Sequence, residues 1–245
     1  MPGTEPPRVL VTRPETGASA TSRRLEACGF VPLLLPLSRI EALPVEASGI
    51  PADVAAVAVT SANAFRHLSR DIVTALAGHP CFCVGNATAE AARSAGFGRV
   101  IAGPGDAGAL AATIAQAGIS GSLLYLAGRL RRSDLEESLA AAGIAVTALD
   151  AYDTLPLRHP VSTVTALLGE RPVDAALVYS SVAAAELADL TSDPALAERF
   201  ERTRFFCMSR RIAGVLGNAG RHATSWAAEP TEEALLALLC RAMKD

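Results

Sequence analysis

The 245-residue sequence predicts an α/β fold assembled from two copies of one unit. Three observations carry that expectation. Short apolar runs alternate with helix-length amphipathic stretches along the whole chain, the pattern of parallel strands linked by helices. Glycines stand where several helical stretches stop, at Gly29, Gly96, Gly143 and Gly220, as residues free to take the left-handed conformation do. The chain also matches itself: residues 10–36 overlay 124–150 without a gap, pairing Leu25 with Leu139 and Gly29 with Gly143. Two more matches follow in order, VAVTSANAF on ALVYSSVAA and CFCVGNATAEAARSAGF (81–97) on FFCMSRRIAGVLGNAGR (205–221). The offset grows from 114 to 124 through longer connections such as TSDPALAERFE, as insertions in surface loops do.

In chain order the expected strands begin with RVLVT (8–12) and VPLLLP (31–36), which bracket the first helical stretch. DVAAVAVT (53–60), CFCV (81–84) and RVIA (99–102) follow, each an apolar run too short for a helix. LLYLA (123–127) and AVTALDAY (145–152) repeat the first pair. DAALVY (174–179) and RFFCM (204–208) repeat the next two, HATSW (222–226) comes last, and helices fill the gaps.

Composition narrows the function classes. Half the residues are hydrophobic, 4% aromatic and 19% charged, which fits an alanine-rich globular chain with a good core. The longest apolar stretches, such as residues 31–37, fall well short of the roughly 20 residues a membrane helix needs. MPGTEPPR has no signal-peptide core, so a soluble cytoplasmic protein without membrane contact is expected. A net charge of −3 without basic stripes argues against nucleic acid while leaving room for an anionic small ligand. The five cysteines (Cys28, Cys81, Cys83, Cys207, Cys240) are odd in number and scattered, and read as reduced core residues. Cys81 and Cys83 alternate onto one strand face, yet neither they nor His67, His79, His159 and His222 supply metal-ligand spacing, so no metal is expected.

GPGDAG (103–108) fits the dinucleotide-binding pattern formally. Its unit lacks the acid about 20 residues on at a strand end, and a Pro104-Gly105 turn with Asp106 capping a helix explains it without a ligand. What recurs is the strand-end junction. The chain leaves strands through Thr60-Ser61-Ala62-Asn63 and Gly85-Asn86-Ala87-Thr88, then through Tyr179-Ser180-Ser181 and Ser209-Arg210-Arg211. In open α/β sheets ligands sit beyond the carboxyl ends of strands, where helix N-termini offer unpaired N–H groups to carboxylates or phosphates. Helix capping is the plain explanation for any one junction; four in register across two copies point to anion seats. Arg13, Arg129, Arg131, Arg132, Arg210 and Arg211 also follow strand ends, where bidentate carboxylate pairing is available.

The ordered series VLVTRP, VTSANA, VGNATAEAARSAGF, LYLAGRLRRSDLEESLAAAGIAVTALDAYDT and AAEPTEEALLALL resembles the uroporphyrinogen-III synthase family from Arg8 to Leu239. The resemblance implies two flavodoxin-like parallel-sheet domains joined by a two-stranded linker, from an internal duplication. Residues 1–36 would join 154–245, residues 39–150 would form the inserted domain, and 37–38 and 151–153 would be the linkers. It implies a monomeric, cofactor-free hydro-lyase that converts hydroxymethylbilane, a linear tetrapyrrole with eight carboxylates, into uroporphyrinogen III with loss of water and inversion of ring D. Transient contact with the preceding hydroxymethylbilane-forming enzyme is a further implication.

Carried over residue by residue, Tyr152 matches the family's recurrent tyrosine, expected to assist departure of the hydroxyl. Thr88 matches its cleft threonine, and Ser61, Asn63, Arg13 and Arg132 match recurrent positions. With these the substrate-binding set comprises Arg13, Thr60, Ser61, Asn63, Gly85, Asn86, Thr88, Arg132, Ser180, Ser181 and Ser209. Ala62 and Val182 stand near positions where the family often has proline, and Ser209 and Ile212 replace the Gly85 and Thr88 of the first copy. From another class, a non-catalytic bilobal protein binding an anionic small molecule would use the same seats.

Overall fold

The structure is a computed structural model that describes residues 5–66, 68–217 and 222–243. The expected Gly220 helix stop and His67 lie outside the described residues. In chain order the elements are β1 (Arg8–Val11), α1 (Glu15–Ala27), β2 (Val31–Leu34), β3 (Ser38–Ala42), β4 (Val54–Val59), α2 (Asn63–Arg66) and α3 (Arg70–Leu76). Then come β5 (Cys81–Cys83), α4 (Asn86–Ala95), β6 (Val100–Ala102), α5 (Ala107–Gln116), β7 (Ser122–Gly128), α6 (Asp134–Ala141) and β8 (Val146–Pro156). The chain closes with α7 (Val161–Leu168), β9 (Ala175–Val178), α8 (Ser181–Ser192), α9 (Ala197–Phe200), β10 (Arg204–Cys207), α10 (Arg210–Gly217), β11 (Thr224–Trp226) and α11 (Glu232–Ala242).

Two compact units result: residues 1–39 with 155–245, and residues 40–154. The first holds a five-stranded sheet in the order β11-β10-β9-β1-β2, and the second a six-stranded sheet in the order β3-β8-β7-β4-β5-β6. Under the sequence self-match β1 corresponds to β7, β2 to β8, β4 to β9 and β5 to β10. Apart from β3, the two sheets therefore run through their strands in the same order.

The inner strands β1, β4, β5, β7, β9 and β10 pair in parallel and are buried on both faces, which is why their sequences are continuous apolar runs rather than alternating ones. In the first unit Leu10, Ala176, Val178, Phe205 and Cys207 pack into a core on one face of the sheet, while Val9, Val11, Ala175, Leu177 and Phe206 pack into another. In the second, Val57, Val59, Leu124 and Leu126 fill one core, and Ala56, Ala58, Leu123 and Tyr125 the other. All seven residues of β7 are buried.

Gly29, Gly96 and Gly143 take positive φ after their helices, as expected. Gly105 has φ 115°, and the Asp106 carboxylate accepts from the Ala109 N–H at 2.8 Å, so GPGDAG is a turn followed by a capped helix. β3 was not legible as a strand; its SRIEA is charged and mostly exposed, and β8 is its neighbour in the sheet. Leu43 N–H donates to the Ala151 carbonyl and Leu157 N–H to the Leu37 carbonyl, one index falling as the other rises, which is the antiparallel sense. No cysteine forms a disulfide, but Cys28 is exposed rather than in the core, because it follows the last residue of α1 at the surface.

Candidate active site

The junction after β4 straddles its sheet because successive side chains of a strand point to opposite faces. Thr60 turns toward the face of Tyr125, and their hydroxyls lie 2.7 Å apart. Ser61 turns the other way. Its Oγ accepts from the Asn63 N–H at 3.3 Å, and Ser61 lies near enough to the Tyr152 hydroxyl of β8 to favour its ionised form. Tyr152 stands opposite Gly128 of β7, past an irregularity in the strand pairing. A Cβ on Gly128 would come within 2.7 Å of Tyr152 Cζ and 2.9 Å of its hydroxyl, so the ring lies on a surface that only glycine provides. The backbone holds it there as well: Arg129 N–H donates to the Tyr152 carbonyl at 2.8 Å.

Burial pushes the Tyr152 hydroxyl above the ordinary tyrosine range, with the Ser61 hydrogen bond pulling the other way. Burial likewise raises Tyr125, against the hydrogen bond from Thr60. At neutral pH both phenols keep their protons and can donate hydrogen bonds. Tyr125 was missed at the sequence level; its signal was one hydroxyl within the apolar run LLYLA, a group that needs a partner when buried.

Asn63 begins α2, which lasts only four residues, and its side chain accepts from Arg66 at 3.1 Å. At the second junction Gly85 precedes α4 in extended conformation, with no side chain capping the helix. Asn86 is exposed and Thr88 is buried in the first turn. No hydrogen bond or ion pair among the described residues joins Thr88 or Arg132 to the other candidates. Arg132 pairs with Asp134 instead. Arg131 binds Glu136 at 2.9 Å and Asp150 at 2.6 Å, and Arg129 reaches Asp150 and Asp153 at 3.6 and 3.5 Å.

In the other unit Arg13 is engaged too. Its guanidinium pairs with Glu232 at 3.0 Å and lies 4.6 Å above the Tyr179 ring. Glu232, in the first turn of α11, also takes Thr21 and Arg24. Burial, and then the nearby Glu232 carboxylate, push Tyr179 up to about 12. Ser180, Ser181 and Ser209 do come together at the ends of β9 and β10, which are adjacent. Ser180 accepts from Ala183 N–H at 3.1 Å and caps α8, Ser209 accepts from Ile212 N–H at 3.4 Å, and Ser181 accepts from Arg211 at 2.6 Å. Among the described residues no group of three or more His, Cys, Asp or Glu could hold a metal. None of the described helices is long and apolar enough to cross a membrane.

Two α/β units, each ending its strands in hydroxyl-bearing helix starts, place the chain in the class of open, mostly parallel α/β sheets. The model of the family described as Uroporphyrinogen-III synthase HemD matches residues 19–237. The chain belongs to the uroporphyrinogen-III synthase family. Among solved structures it resembles the uroporphyrinogen-III synthetase of Helicobacter pylori at 19% identity, covering 96% of this chain and 99% of that one, with a TM-score of 0.66. A mutant uroporphyrinogen III synthase from the extremely thermophilic bacterium Thermus thermophilus aligns at 20% identity over 97% and 99% of the two chains, with a TM-score of 0.58. At such identities these two support the fold. No curated protein matches the sequence.

Proposed function

We propose that the chain converts hydroxymethylbilane into uroporphyrinogen III, losing water and inverting ring D, and that Tyr152 is its catalytic residue. The carrying observation is the buried Tyr152 hydroxyl held against Gly128 beside Ser61, at the strand ends of a chain from this family. Departure of the substrate hydroxyl leaves an azafulvene cation on a pyrrole able to react spontaneously. A phenol that donates a hydrogen bond toward the leaving oxygen eases that step. The larger task is to hold the chain so that the cation meets the substituted carbon of ring D, and positioning supplies most of the rate.

In this reading the substrate carboxylates use the uncapped N–H groups at the start of α4, with Gly85, Asn86 and Thr88, and the hydroxyls of Thr60, Ser61, Ser180, Ser181 and Ser209, with Asn63 beside Ser61. Arg13 and Arg132 already carry carboxylate partners, so in this reading they hold the fold of the site more than the substrate. The domains are taken as 1–36 with 154–245, and 39–150, connected by 37–38 and 151–153. The enzyme works in the cytoplasm without a cofactor, and receives its unstable substrate through transient contact with the enzyme that makes it. The test is to incubate the protein with fresh hydroxymethylbilane, oxidise, and separate isomers I and III by chromatography. Isomer III in excess supports the reading; isomer I alone, at the spontaneous rate, refutes it.

A further inference from the structure

At the carboxyl ends of β10 and β11 lies a patch absent from the predicted binding set. Trp226, the chain's single tryptophan, is the last residue of β11 and pairs in register with Cys207. It is 47% exposed. The Arg210 guanidinium lies 5.9 Å from its ring centre, within range of attraction between a cation and an aromatic face. Arg211, next in sequence, donates to Ser181 at 2.6 Å and so reaches the seat formed by Ser180, Ser181 and Ser209.

Charge compensation separates these two arginines from the others that follow strand ends. Arg13, Arg129, Arg131 and Arg132 each pair with a carboxylate, whereas neither Arg210 nor Arg211 does among the described residues. Both stand in the first turn of α10, where positive charge opposes the helix dipole. Beside them a large apolar ring is left half in water, although burying it would be favourable. No carboxylate among the described residues neutralises the two cations, and about half of the ring stays exposed. One ligand chemistry relieves all three: a flat, electron-rich ring carrying carboxylates, stacked on Trp226 with its acids on the guanidiniums.

We infer that Trp226, Arg210 and Arg211 form a subsite for one carboxylate-bearing pyrrole ring of the tetrapyrrole, an inference that rests on the reading given under Proposed function. The subsite binds and does no chemistry, so its loss raises KM more than it lowers kcat. Trp226→Leu keeps apolar bulk and removes the ring face; it is expected to raise KM for hydroxymethylbilane roughly tenfold, as loss of a stacking platform does. Trp226→Phe restores KM to within about threefold of the parent, because a flat face is back. Arg210→Gln and Arg211→Gln each raise KM about fivefold or more and weaken its dependence on ionic strength. Far-UV circular dichroism establishes that each variant is folded. Isomer III from the parent protein with unchanged KM in Trp226→Leu and both arginine variants overturns the subsite alone. Failure of the parent to make isomer III overturns the function reading itself, so the two failures are distinguishable.

Discussion

Replacing Gly128 by alanine tests the geometry that holds Tyr152. The new Cβ would lie 2.7 Å from Tyr152 Cζ and 2.9 Å from both Cε2 and the hydroxyl. Carbon atoms prefer separations of about 3.5–4.0 Å, so the ring must retreat by about 1 Å or β7 and β8 must part locally. Overpacking of this kind costs about 1–3 kcal/mol, and about 2 kcal/mol is a thirtyfold change in the folding equilibrium. For a chain of this size that lowers Tm by roughly 4–8 °C. The same retreat pulls the hydroxyl off Ser61, and a displacement of about 1 Å at a reacting group can cost about a hundredfold in kcat. The assay is a double-mutant cycle by urea denaturation, pairing Gly128→Ala with Tyr152→Ala. In the Tyr152→Ala background the clash is gone, so Gly128→Ala becomes neutral or slightly stabilising, since alanine outdoes glycine in a strand by roughly 0.5–1 kcal/mol. An equal cost for Gly128→Ala in both backgrounds refutes the packing argument, and an unchanged kcat in the single variant refutes the role given to the ring's position.

Three further outcomes are expected. Tyr152→Phe lowers kcat on hydroxymethylbilane by roughly a hundredfold, as removal of a proton donor does, while binding of uroporphyrin III measured by calorimetry changes less than about threefold. Because Tyr179 is raised to about 12 from an unfolded value of about 10, the unfolded chain loses that proton first. Its contribution, about 2–3 kcal/mol, is therefore complete below pH ~10 and is lost as pH climbs toward ~12. Urea midpoints taken across that window fall steeply in the parent and less so in Tyr179→Phe. Asp106→Ala removes the cap of α5 and costs about 1 kcal/mol by the same denaturation, leaving turnover intact; loss of activity would mean that the GPGDAG turn does more than fold.

The fold was legible because parallel strands covered on both faces must be written as unbroken apolar runs. CFCV, DAALVY and LLYLA could be read as strands without knowing any neighbour. SRIEA could not. It is a charged, mostly exposed segment, and only its place beside β8 marks it as β3. The stretch from Asn63 likewise looked like the start of a full helix, but Leu68 and Ser69 are not helical and a new helix begins at Arg70, with Ser69 accepting from the Ile72 N–H. A local pattern cannot show such a break, because helical spacing persists across it.

The site was legible where it depends on spacing along the chain and illegible where it depends on partners distant in sequence. Hydroxyl junctions such as Thr60-Ser61 and Ser180-Ser181 stand at strand ends whatever surrounds them. Whether an arginine beside such a junction is free to take a ligand is decided by acids elsewhere, and no spacing rule connects Arg13 to Glu232 across the length of the chain. The arginines following strand ends looked equivalent in sequence and divide in three dimensions into a compensated group and the uncompensated Arg210 and Arg211. That division has a chemical sense for an octacarboxylate ligand. If every guanidinium were unpaired, the summed attraction would hold the product, which carries the same acids as the substrate, as firmly as the substrate itself. On the function proposed above, the internal carboxylates on Arg13 in one unit and on Arg129, Arg131 and Arg132 in the other moderate the field at each, and positioning of the substrate falls to uncharged hydroxyl and N–H donors. Capture and release of one polyanion after another then require only a few free cations, at an edge where an aromatic face stands ready beside them.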